Sequence, residues 1–249
     1  MQIQVIKTKV FKERENLLSF IFKYVRKIPE KSVLVVTSKI VALSEGRTVE
    51  IDPSVSHEKM REKIIKAESE YMLRTPYTWL TIKDGMVMSS AGIDESNADG
   101  KIVLLPKNSF KSAQMIRKIL IKKYKVKNLG ILITDSRLLP LRAGIVGAAI
   151  GYAGFKGVRD YRGTSDIFGR ILKVSRTDVA DSLATAAVLC MGEGKERQPL
   201  ALINNAPVEF AKKINKKELM VDPREDLYQP LFAKIKKIKS IKSKNYYKF

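Results

Sequence analysis

Residues 129–136 read LGILITDS, an apolar run followed at once by hydroxyl and carboxyl side chains. The run at 129–133 predicts a buried β-strand. Asp135 is then expected at the carboxyl end of that strand, a common place for a functional group in a mixed sheet. A second run, SVLVVT at residues 32–37, predicts another buried strand, which ends at Ser38 and Lys39.

The remaining patterns predict an α+β fold in which mixed sheets pack against helices. Apolar residues recur at helical spacing from 113 to 124. Asp178 is the predicted N-cap of a helix over residues 179–191, which Gly192 ends. Five glycines between residues 143 and 157 favour close packing of a strand against backbone. A phosphate loop is not favoured there, because the Gly-Lys-Ser/Thr signature is missing.

The chain carries no convincing linker signal before its basic end. Residues 1–228 are therefore expected to form one intertwined unit, with a division into two lobes left open. Residues 229–249 are expected to form a basic C-terminal tail. No stretch approaches the roughly 20 apolar residues that a membrane span needs, so a soluble, cytoplasmic protein without membrane contact is expected.

A single histidine and a single cysteine restrict the chemistry. One histidine and one cysteine cannot form the usual zinc sites, and a single cysteine cannot form an internal disulfide. A chain without a disulfide favours a reducing compartment. Cys190 lies in an apolar run and is expected to be buried and inert. His57 is expected at the surface near a helix start. Chemistry that relies on charge stabilisation and positioning, such as phosphoryl and acyl-phosphate transfer, is favoured.

The formal net charge of +21 allows two interpretations. Residues 234–249 alone contain seven lysines and no acidic residue. A solvated basic surface is favoured over a nucleic-acid interface, because basic residues are spread along the chain and no nucleic-acid motif is present. The excess positive charge would still attract an anionic substrate.

Three carboxylates lie in separate turn-rich segments, at Asp94, Asp135 and Glu193. Oxygen ligands of this kind suit a divalent cation that holds nucleotide phosphates. Glu193 follows the predicted end of a helix, where the negative end of the helix dipole disfavours a lone carboxylate. A bound cation would relieve that conflict, which makes Glu193 a candidate metal ligand.

Several motifs occur together in a characteristic order. They read VVTSKIV at 35–41, AGIDESN at 91–97, ITDS at 133–136, AAIGYAG at 148–154, RDYRG at 159–163, DIFGR at 166–170 and VADSL at 179–183. Over about residues 32–194, the chain resembles the coenzyme F420-0:L-glutamate ligase family. The ordered set is far more specific than any single motif.

This resemblance implies a GTP-dependent γ-glutamyl ligase that adds L-glutamate to a deazaflavin cofactor precursor through an acyl phosphate. It also implies two divalent cations, Mg²⁺ or Mn²⁺, and a homodimer. Catalytic roles are implied for Asp135 and Lys39. The implied ligands are Asp94 and Asp135 for one metal, and Ser136 and Glu193 for the second. The implied nucleotide contacts are Ser38, Lys39, Asn97, Met191, Gly192, Glu193, Gly194 and Lys195.

Departures from the family pattern leave alternatives open. Residues 7–12 lack the family's Gly/Pro-containing loop, Leu43 replaces a lysine, and RLLPLR follows Ser136 in place of an aromatic and glycine run. These changes put the guanine preference and the acceptor in doubt, so ATP is an alternative nucleotide. A folate-type acceptor with the same chemistry is one alternative function, and a nucleic-acid-binding protein is a less favoured one.

Overall fold

Five strands form the central sheet of the computed structural model, which describes residues 1–232 of the 249-residue chain. The strands are β1 Gln2–Ile6, β2 Ser32–Thr37, β3 Thr48–Glu50, β4 Tyr71–Arg74, β5 Trp79–Lys83, β6 Met86–Ser89, β7 Lys101–Val103, β8 Leu129–Leu138, β9 Ile145–Ala153, β10 Val158–Asp160, β11 Arg176–Asp178 and β12 Leu200–Asn204. The helices are α1 Leu17–Tyr24, α2 Ser38–Ser44, α3 His57–Glu68, α4 Ser109–Tyr124, α5 Val179–Met191 and α6 Gln229–Phe232, with a 3₁₀ turn at Ser90–Gly92. This mixture of helices and several sheets confirms the predicted α+β class.

The central sheet has the strand order β1-β12-β2-β8-β9. Strands β2 and β8 run parallel, and the other neighbouring pairs are antiparallel. Strand β2 is buried along nearly its whole length, which explains why its sequence is almost continuously apolar rather than alternating. Because β2 and β8 are parallel, their carboxyl ends meet at one edge of the sheet, where Thr37 lies opposite Thr134.

Strand β8 is longer than its apolar run. The prediction that it ends before Asp135 is wrong, since the strand continues to Leu138. A register shift between Ile133 and Thr134 interrupts its pairing with β9. Beyond Thr134, β8 pairs with β9 alone, because β2 has ended. Asp135 therefore lies within a strand, one residue beyond the end of the parallel pairing.

Helices cover both faces of the central sheet. Apolar residues of α1 and α4, including Phe20, Ile116 and Leu120, pack with Leu34 and Ile131 on one face. On the other face, α5 contributes an apolar surface of Leu183, Ala184 and Ala187, which packs with Val33 and Leu132. The edge at which β2 and β8 end is thus held between two hydrophobic cores, which stabilise the sheet by removing apolar surface from water.

Two glycines let β9 lie directly against the helices on each face. A Cβ atom at Gly147 would overlap the Ala184 carbonyl of α5, and one at Gly151 would overlap backbone atoms of Ser109 in α4. Close packing against backbone was the interpretation favoured for this glycine-rich segment, and these approaches confirm it.

Helix α5 begins and ends as predicted. The Asp178 side chain accepts a 2.9 Å hydrogen bond from the Asp181 backbone N–H, and Gly192 follows the last turn with φ of 79°. The prediction that Cys190 is buried is wrong, because its side chain is exposed beside Leu189, which is 83% exposed. The segment is apolar on all sides, so its sequence did not distinguish the face that packs on the sheet.

Smaller elements surround the central sheet. Strands β4-β5-β6 form a three-stranded sheet, and β3-β7 and β10-β11 form two-stranded ones. Helix α3 begins at His57, whose partly exposed side chain confirms the expected surface position. Helix α6 occupies the start of the predicted tail, and residues 233–249 lie outside the described part of the chain. No helix within residues 1–232 has the length and apolarity needed to cross a bilayer.

Candidate active site

A cavity of about 570 Å³ opens at the carboxyl ends of β2 and β8. Its lining brings together all the site residues expected from the sequence, namely Ser38, Lys39, Asp94, Asn97, Asp135, Ser136, Met191, Gly192, Glu193, Gly194 and Lys195. These residues come from four separate parts of the chain. The tertiary structure therefore assembles them at the sheet edge where ligands commonly bind in folds with parallel strands.

Ser38 and Asp135 connect the ends of the two parallel strands. The Ser38 hydroxyl donates a 2.9 Å hydrogen bond to Asp135 Oδ1, although 97 positions separate the two residues. Burial is the main cause that raises the pKa of Asp135, to about 6, and the negative charges of Asp94 and Glu193 add to it. The Ser38 hydrogen bond acts in the opposite direction. Within residues 1–232, Asp135 forms no ion pair with a cationic side chain.

Asp94 is held by a tight turn and by a lysine. The 3₁₀ turn before it needs positive φ at Ala91 and Gly92, of 54° and 70°. Its carboxylate accepts a 2.7 Å hydrogen bond from the Ser96 backbone N–H and forms a 2.7 Å ion pair with Lys39 Nζ. Burial alone would raise the pKa of Asp94, but Lys39 and Ser96 together hold it below its ordinary value.

The opposite wall of the cavity is the loop that follows α5. The Ser136 hydroxyl donates to Glu193 Oε1 at 2.7 Å, and Asn97 Nδ2 donates to the Gly194 carbonyl at 3.2 Å. Within the loop, the Gly194 N–H donates to Glu196 at 2.8 Å. Glu193 lies just beyond the helix end, as the sequence predicted, and its carboxylate faces a serine hydroxyl.

Sequence reasoning missed several residues that line the cavity. Thr134 is 1% exposed, and its hydroxyl has no hydrogen-bond partner among the described residues. Lys9 and Arg197 add cationic side chains to the lining of the same cavity. A threonine between an apolar strand and an aspartate was the available signal for Thr134. Lys9 lies in the segment that departs from the family's Gly/Pro-containing loop, and that departure was its available signal. Arg197 lies in a segment without a distinctive motif, so only the tertiary structure could reveal it.

Two of the three departures from the family pattern lie at this cavity. Residues 8–11 line it, and so does Leu43. The Lys9 ammonium forms a 2.9 Å ion pair with Glu15. The unusual residues are therefore placed where they can contact a ligand, which makes them candidates for changing its selectivity.

The donor atoms of the cavity suit a hard divalent cation. Asp94, Asp135, Ser136 and Glu193 supply only oxygen, the ligand type that Mg²⁺ and Mn²⁺ prefer. The negative charges of Asp94 and Glu193 raise the pKa of Asp135. A cation bound between these carboxylates would stabilise their charged forms. Within residues 1–232, no cluster of three or more His, Cys, Asp or Glu forms a metal-binding group by itself. Hydroxyl and substrate oxygens would have to complete the coordination.

These features define an α+β protein whose main cavity combines hard oxygen donors with cationic side chains, a combination suited to phosphorylated substrates. A model of the family described as F420-0:Gamma-glutamyl ligase matches residues 5–205. The chain belongs to this family, and it is an enzyme, a ligase that forms a carbon–nitrogen amide bond.

Three relatives with similar sequences match most of this chain and most of their own length. The chain is 35% identical over 231 residues to the coenzyme F420:L-glutamate ligase of Methanococcus maripaludis strain C7, which covers 87% of this chain and 92% of that protein. It is 32% identical to the enzyme of that name from Methanocaldococcus jannaschii, over 86% of this chain and 90% of that protein. The Archaeoglobus fulgidus protein of that name is 32% identical, over 80% of this chain and 85% of that protein.

Proposed function

We propose that this enzyme adds L-glutamate to a coenzyme F420-0-like acceptor at the expense of a nucleoside triphosphate, GTP or ATP. The observation that carries the proposal is the single cavity in which Lys39, Asp94, Asp135 and Glu193 meet at the ends of two parallel strands. The names of the relatives, coenzyme F420:L-glutamate ligases, support the acceptor and the amino acid. The nucleotide and the reaction steps are inferred from the chemistry of the cavity.

The proposed reaction has two steps. An acceptor carboxylate first attacks the γ-phosphorus, which releases the nucleoside diphosphate and leaves an acyl phosphate. The α-amine of glutamate then attacks the acyl carbon, and the C–O bond to phosphate breaks as the C–N bond forms. The amine loses a proton, and inorganic phosphate leaves. Positioning and charge stabilisation supply most of the rate in such phosphoryl transfers.

Residues of this cavity have distinct proposed roles. Lys39 and Lys195 supply positive charge to the phosphates, while Ser38, Asn97 and the backbone amides of residues 191–195 orient them. Asp94 and Asp135 would hold one divalent cation, and Ser136 and Glu193 a second, and these cations would supply charge that stabilises the transferring phosphoryl group. Since Lys39 already pairs with Asp94, it links the proposed phosphate and cation positions.

The experiment is a glutamate-incorporation assay with F420-0 and a folate as acceptors, with ATP and GTP, and with Mg²⁺, Mn²⁺ or a chelator. We expect F420-0 to be glutamylated and the chelator to abolish the reaction. Because residues 8–11 and Leu43 depart from the family pattern, ATP and GTP should be used within about tenfold of each other. A GTP preference above about 100-fold, roughly 2.7 kcal/mol, would contradict the selectivity proposal. Glutamylation of the folate alone would contradict the acceptor.

We also propose that the enzyme is a homodimer. The hairpin arm formed by residues 161–175 extends from β10 and β11 and exposes Ile167 and Phe168 almost completely, at 91% and 88%. Exposed apolar residues grouped on an arm are typical of a protein interface. A second copy of the chain is the proposed occupant.

Light scattering on Phe168→Ser tests the dimer. The variant should shift the mass toward that of a monomer at equal protein concentration. Tyr77→Ser is the matched control, because Tyr77 is a similarly exposed aromatic residue, at 95%, outside the arm. An unchanged dimer in the Phe168 variant, or a monomeric parent, would contradict the proposed arm contact.

A further inference from the structure

A second cavity, of about 370 Å³, lies at the other end of β9. It is formed by one face of α4, the end of β9 and the segment that follows β12. Its lining consists of Gln114, Arg117, Lys118, Ile121, Lys122, Ala153, Gly154, Lys212 and Ile214. None of these residues belongs to the candidate active site.

The charges of this second cavity are all positive. Arg117, Lys118, Lys122 and Lys212 line it, and no carboxylate does. None of the four forms an ion pair with a carboxylate in the described part of the chain. Like charges gathered in one concave surface repel, and an anion bound among them relieves the repulsion.

Arg117 is held in place by the backbone around it. Its Nε donates a 2.7 Å hydrogen bond to the Leu129 carbonyl, which fixes the plane of the guanidinium. Gly154 makes this possible, because a Cβ atom there would overlap both Arg117 Nε and the Leu129 carbonyl. Gly154 also has φ of 91°, which favours glycine. The two terminal nitrogens of Arg117 form no hydrogen bond with residues 1–232 and remain available to a ligand.

The second cavity is separate from the candidate active site. Ala153 pairs with Ile131 of β8, whereas Ala148 pairs with Asp135. Ile131 and Asp135 are four residues apart on β8, which corresponds to about 13 Å along that strand. A ligand in the second cavity therefore does not share the side chains that hold the reacting groups.

We propose that this cavity binds a small molecule that carries two or more negative charges on phosphate or carboxylate groups. The forked guanidinium of a fixed arginine matches the paired oxygens of either group. The three lysines supply charge without imposing one geometry. Ile121 and Ile214 add apolar surface to the lining. A concave site of this volume suits a compact anion, whereas a nucleic acid strand requires an extended basic groove.

Titration calorimetry on the full chain, with pyrophosphate and citrate as probes, tests the proposal. Arg117→Gln and Lys122→Gln should each weaken binding of at least one probe by about tenfold, the effect of losing a charge-assisted contact. Lys111→Gln is the matched control, because it removes a positive charge from the same helix outside the cavity. It should change the affinity by less than about twofold. Binding of pyrophosphate alone would assign a phosphate ligand, and binding of citrate alone a carboxylate.

Two further variants separate this site from the active site and from general charge. Lys39→Ala should leave unchanged the probe binding that Arg117→Gln weakens. The result of this test therefore does not depend on whether the proposed reaction at the active site is correct. Gly154→Ala should abolish the same probe binding by displacing Arg117. If that variant does not fold, Lys122→Gln still decides, because Lys122 is exposed. The proposal is overturned if neither probe binds the parent, or if Lys111→Gln weakens binding as much as Arg117→Gln. The proposal is also overturned if a short RNA binds more tightly than either probe and if Arg117→Gln and Lys111→Gln weaken its binding equally.

Discussion

The two walls of the active-site cavity are built in different ways. The strand-end wall consists of Ser38 and residues 134–136, and the loop wall consists of residues 191–199. Residues 134–136 are held by strand pairing, and the Ser38–Asp135 hydrogen bond joins them to the first residue of α2. The loop wall begins where α5 ends, and it contacts other parts of the site through the Ser136–Glu193 and Asn97–Gly194 hydrogen bonds. Groups that must not move are therefore expected on the first wall, and adjustable contacts on the second.

Replacing Asp135 should have the largest effect. Asp135→Asn keeps the shape of the side chain but removes the charge that the proposed cation needs, so turnover should fall at least about 100-fold. The free energy of unfolding should change by less than about 1 kcal/mol, because the hydrogen bond from Ser38 can still be accepted. Glutamate incorporation and thermal unfolding would be measured together.

Asp99→Asn is the control for this substitution. Asp99 is exposed in the segment that also contains Asp94, and the change in charge is the same. Its activity should equal that of the parent. Full activity of Asp135→Asn would remove the strand-end wall from the mechanism.

Lys39 should have the next largest effect, since it reaches from the strand-end wall to Asp94. Lys39→Ala removes the proposed phosphate contact and should weaken nucleotide binding by about 10- to 100-fold, the range for a charge-assisted contact. Binding of Mn²⁺ should persist, because no proposed metal ligand is lost. Lys63→Ala, which removes an exposed lysine from α3, is the control. Equal nucleotide affinity in both variants would argue against a phosphate role for Lys39.

Glu193 tests whether the loop wall is more tolerant. Glu193→Gln retains an oxygen that can coordinate a cation or accept from Ser136, so turnover should stay within about threefold of the parent. Glu193→Ala removes both functions and should lower turnover by about tenfold, or 1.4 kcal/mol. Both would be measured at saturating Mn²⁺ with thermal stability in parallel. If Glu193→Ala ligates like the parent, Glu193 is a surface residue after a helix and the second metal site is wrong.

Thr134 should have the smallest effect, on stability rather than on turnover. Thr134→Val removes a buried hydroxyl that has no partner in the described structure, and it should stabilise the fold by up to about 1 kcal/mol. Thr81→Val is the contrasting variant, because the buried Thr81 hydroxyl donates to the Met88 carbonyl and accepts from the Ala91 N–H. It should destabilise the fold by about 1–3 kcal/mol. Denaturant unfolding of both variants checks the difference, and equal losses would mean that Thr134 has a structural partner.

The sequence predicted which strands form the strand-end wall, but it did not predict how far β8 extends. The apolar runs identified β2 and the first half of β8, because a strand buried on both faces is apolar along its length. The extension of β8 through Asp135 was missed, since polar residues that pair with only one neighbouring strand resemble a loop. On the loop wall, the cap residues Asp178 and Gly192 located Glu193 correctly.

By itself, the sequence determined the α+β class, the ends of α5 and the chemical types of the candidate ligands. These properties depend on local periodicity, on capping and on the small number of histidine and cysteine residues. Only the tertiary structure decided that Ser38, Asp94, Asp135 and Glu193 share one cavity and that Cys190 faces outward. Only it revealed the basic cavity around Arg117 and the Thr134 hydroxyl, which has no hydrogen-bond partner within residues 1–232. The physical reason is that these properties depend on strand pairing and helix packing between residues far apart in the chain, which no local pattern encodes.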